Sequence, residues 1–198
     1  SIAVAACVCF ALLGAYILTK PYETADGFVI KNSTLVSYNG NETEITIPNN
    51  VSVIKNNAFS TNENADKIQI INLDSDVRTI EPNAFANLSS LVFVNTEGNS
   101  NFVVKNDTVL SADGNTLVHY EGSATEYTVP EDVKVIGASA FHSSDIKDIT
   151  FNSSLEFIGI SAFADTKIEK INLPDSLKAI DDYAFSGCIY ATEGYIPP

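Results

Sequence analysis

His119 and His142 are the chain's two histidines, and Cys7, Cys9 and Cys188 its three cysteines. A zinc site needs several such side chains at short, regular spacing. Neither histidine has a Cys or His partner at that spacing. No serine sits in a G-x-S-x-G elbow, and no glycine-rich loop cradles a phosphate. Both histidines are therefore expected on solvent-facing loops. No catalytic residue, metal ligand or cofactor is assigned, and the chain reads as a non-enzyme. Acidic clusters at Asp74-Ser75-Asp76, Glu131-Asp132 and Asp181-Asp182 fall in turns, where Asp satisfies local backbone donors. They occupy different offsets, which argues against a calcium ladder. Cys188 reads as a small buried filler.

What must position any surface chemistry is a repeat. Five copies of one pattern begin at Ile45, Ile71, Tyr127, Ile149 and Ile171. Each has an apolar-x-apolar pair, a turn, a Val or Leu, an Ile and a closing Ala-Phe. The predicted repeat core comprises Ile54, Ile80, Ile136, Ile158 and Ile180 with Phe59, Phe85, Phe141, Phe163 and Phe185. The last two phenylalanine steps are 22 residues each. A period in the twenties marks a solenoid, in which stacking supplies a core that no single unit could build. The apolar-x-apolar piece reads as a short strand, closed by Pro48, Pro130 or Pro174, which cannot donate to a ladder. Ala-Phe is placed on one helical turn, giving a β-rich α/β solenoid whose rings form a spine.

The step from Phe85 to Phe141 is 56 residues, too long for one coil. Its surplus contains Asp113-Gly114 between apolar runs, a β-hairpin signal. A shorter version, Phe28 to Tyr38, precedes the first copy. The expected organisation is an apolar helix at 1–20 and a repeat domain at 21–198. Within that domain lie a hairpin unit at 26–44, repeats from 45 and 71, a hairpin insertion at 96–126, and repeats from 127, 149 and 171.

These units resemble the BspA-like, treponemal-type leucine-rich repeats, with motif I-x-L-P-x-S-L-x-x-I-x-x-x-A-F-x-x-C. Residues Ile171 to Cys188 match it almost position for position, and the likeness covers about 28–188. Copies two and four depart from it, with Asp74 and Asn152 where the motif has Pro. The resemblance implies a right-handed, curved leucine-rich-repeat stack with a parallel sheet on one side. It also implies a surface-exposed protein of bacteria or protists, several of whose relatives are adhesins, and no shared catalytic residues.

Ile2 to Leu18 carries no charge, Asn, Gln or Pro. As a helix it would span about 26 Å, near the short limit for a bilayer. The preferred expectation is a single-pass membrane anchor, with lipid or other helices around residues 2–18. The alternative is a filament or membrane-complex subunit packed through that helix against neighbouring subunits. Net charge is −14, with every acidic residue after position 20, so the field repels nucleic acid. Six N-x-Ser/Thr sequons, at Asn32, Asn41, Asn50, Asn87, Asn106 and Asn152, are possible N-glycosylation sites if the domain is extracellular and its source eukaryotic. The functional expectation is a cell-surface repeat protein that binds another protein. The last coil has no polar cap, so its apolar edge is expected to be covered by further chain or by a partner.

Overall fold

A computed structural model describes residues 20–195. The proposed helix at 1–20 falls almost wholly outside them. The chain opens with an antiparallel meander of β1 (Tyr22–Glu23), β2 (Phe28–Lys31) and β3 (Thr34–Tyr38). Two coils follow, with β4 (Glu44–Thr46) and β5 (Val53–Ile54), then β6 (Ile70–Asn72) and β7 (Thr79–Ile80). After β8 (Phe93–Asn95) comes a second meander, β9 (Phe102–Val104), β10 (Thr108–Ser111) and β11 (Thr116–Tyr120). Three further coils carry β12 (Glu126–Thr128) with β13 (Val135–Ile136), β14 (Asp148–Thr150) with β15 (Phe157–Ile158), and β16 (Lys170–Asn172) with β17 (Ala179–Ile180); β18 (Glu193–Tyr195) closes the described chain.

The two halves share one plan. One sheet has the order β1-β2-β3-β5-β7, the other β9-β10-β11-β13-β15-β17. In each, a hairpin hands over to parallel strands: Leu35 pairs with Ile54, and Leu117 with Ile136. The hairpins even share a bulge, between Val29 and Ile30 and between Val109 and Leu110. The other row of short parallel strands holds β4-β6-β8, then β12-β14 and β16-β18. Alternation decides what faces inward: Ile45 is buried while Glu44 and Thr46 are exposed.

The expected helical turn at Ala-Phe is not what forms. Among the described residues the helical element is one 3-10 turn, Ala65–Lys67. Ala and Phe instead sit in tight turns, with each Ala amide donating three residues back, as Ala58 to the Lys55 carbonyl at 3.1 Å and Ala84 to that of Glu81 at 2.9 Å. In four of the five copies the residue before Ala explains the difference. Asn57, Ser139, Ser161 and Tyr183 have φ of 61°, 54°, 54° and 60°. A left-handed residue breaks a right-handed helical path at once. The solenoid is therefore β-rich, without the α component of the α/β reading.

Its interior is two cores rather than one. Phe59, Phe85, Phe141 and Phe163 are buried, Phe185 is half-buried at the last coil. Ile54, Ile136 and Ile158 are fully buried, Ile80 is half-buried, and Ile180 is 39% exposed. One run of rings goes Tyr38, Phe59, Phe85, with centroids 5.9 and 6.2 Å apart. The other goes Tyr120, Phe141, Phe163, Phe185, at 5.1, 4.9 and 5.2 Å. Tyrosines from the hairpins thus head both spines. Between them stands the β10–β11 hairpin, buried on both faces: Val109 and Val118 join the first core, Leu110 and Leu117 the second.

Candidate binding surface

The parallel strands that continue the second hairpin's sheet present a regular outer face. Val135, Phe157 and Ala179 lie in register on β13, β15 and β17, at least half-buried except Ala179, while Ile136 and Ile158 beside them point into the core. Adjacent parallel strands lie about 4.8 Å apart, so equivalent side chains form ladders. Immediately before them run Lys134, Glu156 and Lys178, linked coil to coil by backbone bonds at 2.8 Å. The Lys178 ammonium donates to Glu156 at 2.7 Å, which holds the carboxyl below its usual range. Both groups are well exposed, so the pair aligns the surface more than it stabilises the fold. The equivalent face of the first half is polar: Ser33, Ser52 and Arg78 stack there beside Asn50 and Asp76 around an open cleft.

His142 does sit near solvent, half-buried, with Nδ1 2.9 Å from Ser143 Oγ and Nε2 3.7 Å from Asp165. Burial lowers its pKa, with Asp165 opposing. The serine is its own chain neighbour and the carboxylate lies beyond hydrogen-bond reach, so this is a surface contact and not an activated nucleophile. His119 corrects the sequence reading. It is 4% exposed, because the hairpin that carries it is sandwiched between the two cores and not held out in solvent. Hairpin spacing was visible in the sequence; burial of both hairpin faces was not. No group of three or more His, Cys, Asp or Glu able to hold a metal occurs among the described residues. Cys188 is half-buried, its thiol donating to the Phe163 carbonyl at 3.1 Å, as a filler should. Cys7 and Cys9 lie outside the described residues.

Of the sequons, Asn32, Asn41, Asn50, Asn87 and Asn106 are exposed, but Asn152 is 5% exposed. Its amide nitrogen donates to the carbonyls of Pro130 and Val133, and its oxygen accepts from the Ser154 amide at 2.8 Å. Asn99 does the same to Asp74 and Val77 at 2.6 and 2.8 Å. Asn at the motif's Pro position thus stitches one turn to the previous coil, which accounts for the departure in copy four. Asn152 is accordingly removed from the accessible sequons. Replacing Asn152 by Ala should leave the Val133 carbonyl and the Ser154 amide unpaired and lower stability by about 1–3 kcal/mol in a urea titration. An unchanged midpoint would contradict this account of the turn.

The comparisons agree with the repeat. The BspA type leucine-rich repeat region matches residues 30–107 and 114–198, in six copies. The chain belongs to the BspA-type leucine-rich repeat family. Among solved structures, a leucine-rich repeat protein from Eubacterium ventriosum is similar at 22% identity and a TM-score of 0.59, covering 77% of this chain and 48% of that one. The pneumococcal vaccine antigen PcpA gives 20% identity and 0.49, over 78% and 51%. A leucine-rich cell surface protein from Faecalibacterium prausnitzii gives 20% and 0.47, over 76% and 52%. At these identities the likeness is one of fold. The chain spans about half the length of these relatives. The search of curated proteins finds no match. Across this BspA-type chain's own copies the core Ile and Phe recur while the outward residues differ.

Proposed function

We propose that this BspA-type chain is a cell-surface, non-enzymatic module that binds a protein ligand, held at the membrane through Ile2–Leu18. The observation that carries the reading is the amphipathic ladder of Val135, Phe157 and Ala179 beside Lys134, Glu156 and Lys178. A line of partly exposed apolar side chains flanked by charges suits a protein partner, with apolar contact giving affinity and charge giving register. The acidic excess disfavours nucleic acid. No described helix is long and apolar enough to cross a membrane, and residues 2–18 lie outside the described set. The run from Ile2 to Leu18, free of charge, Asn, Gln and Pro, supports the anchor.

Adhesion is tested by immobilising the full chain and presenting matrix, host-surface and same-cell proteins. Reversing Glu156 to Lys makes three like charges in a row and should weaken a ladder-bound ligand at least about tenfold, while the melting temperature stays put. Absence of binding to every class offered would remove the adhesive reading. Binding indifferent to Glu156→Lys would move the ligand to another face.

A further inference from the structure

Of all buried polar groups, the strangest is His119. Both ring nitrogens are enclosed and without a hydrogen-bond partner, and the residue is 4% exposed. It stands directly across from Val109 on the neighbouring strand, and Val109 belongs to the first core. Cross-strand partners share a face, so His119 is turned toward the first half-array. At the same place in the first hairpin, Ser37 lies across from Val29 and both are only half-buried. A titratable ring therefore occurs only in the copy of the hairpin that is clamped between halves.

The groups around it offer an imidazolium no counter-ion. The facing segment, from Pro82 through Thr96, contains no ionisable residue. Burial pushes the ring's pKa down to about 4, and the Val92 backbone opposes this. Just after β11 the next carboxylate is Glu121, already engaged with the Val94 amide at 2.8 Å. Asp107, before β10, is exposed and its carbonyl takes the Glu121 amide at 2.7 Å. Glu81, at the end of the facing coil, lines a cavity of about 10 Å³ with Val118. Lys105, before β10, and Lys134, before β13, add only like charge. Glu121 is itself held above its usual pKa by burial, so at that group acid favours the closed seam and works against the effect of His119.

We propose that His119 makes the seam between the two half-arrays acid-labile: protonating its ring separates the first core from the hairpin while each spine stays stacked. The sign follows from linkage. An open seam binds the proton near the ordinary value of 6.5 and the closed seam only near 4, so closure is fully favoured above 6.5 and is lost as pH falls between the two. The closed-to-open ratio should drop on the order of a hundredfold across that window.

Hydrogen exchange on the full 198-residue chain, corrected for intrinsic rates, tests this between pH 7 and pH 4.5. The amides that bond across the seam, Val94, Ala138 and Ile160, should lose protection as acid is added, while those of β5 and of the β10–β11 hairpin keep theirs. His119→Leu and His119→Gln, either of which suffices, should abolish the step. Glu121→Gln, which retains an oxygen for the Val94 amide, should keep it. A step that survives in a His119 variant, or vanishes in Glu121→Gln, overturns the assignment to His119. Uniform loss of protection across the molecule overturns the selective seam, and so does no loss at all.

Discussion

Truncating Phe163 to Ala is expected to cost about 3–5 kcal/mol, the most of any single spine residue. Its ring is fully buried and lies between two others, Phe141 at 4.9 Å and 12° and Phe185 at 5.2 Å and 5°. Phe151 adds an edge contact at 5.7 Å. Removing it deletes a transfer term and leaves a void that two flanking coils cannot close, because parallel strands hold them at fixed spacing. Phe185→Ala should cost about half as much or less, since that ring is already half-buried and loses contact on one side only. Urea titration with a probe in each half checks both values. In a quasi-one-dimensional stack the loss should fall on the second spine first. Equal losses for the two variants would mean that the rings are not stacked in series.

Inward positions were readable because a period of 22 and strand alternation leave one arrangement that turns the repeated Ile and Phe inward. The two hairpins were readable for a similar reason: Asp113-Gly114 and the Phe28–Tyr38 run are local turn chemistry. What was hidden depends on contacts distant in sequence. Val109, Val118 and His119 look like the outer face of a hairpin, and Val29, Val36 and Ser37, their counterparts, do remain half-buried. Only the docking of the first half-array buries the second set. Helical turns were expected at Ala-Phe, yet in four of the five copies a left-handed residue ahead of Ala wins. A hint was present, since Asn and Ser, residues that favour turns, fill that slot in Asn57, Ser139 and Ser161. The outward ladder is the least legible of all, for no repeat constraint acts on residues facing water.

One overlooked pattern sits just after the core Ile, where the copies carry Lys55, Glu81, Gly137, Gly159 and Asp181. The two glycines mark the seam. A Cβ on Gly159 would meet the Ala138 nitrogen at 2.7 Å, Asn83 Oδ1 at 2.9 Å and the Gly137 carbonyl carbon at 3.0 Å. Asn83 uses that same oxygen to accept from the Ile160 amide at 3.0 Å, and its amide donates to Asp181. The Pro82 carbonyl accepts from the Ala138 amide at 2.7 Å, so the first half-array is latched into a notch that side chains would fill. In the first half, where no such latch exists, the Glu81 carboxylate takes the corresponding Asn56 amide at 2.7 Å. Gly159→Ala is therefore expected to destabilise by about 1–3 kcal/mol, outweighing the few tenths to about 1 kcal/mol that Ala gains by restricting the unfolded chain. Gly98→Ala separates this from backbone strain. Gly98 has φ +78° and nothing within 4 Å, so its cost should come from the left-handed conformation alone, about 1 kcal/mol. The loss in Gly159→Ala should appear at the seam, as faster exchange of the Ala138 and Ile160 amides at neutral pH, with the spine amides of β5 unaffected. A Gly159→Ala chain more stable than its parent would show that the notch has room, and that the halves are held by the hairpin alone.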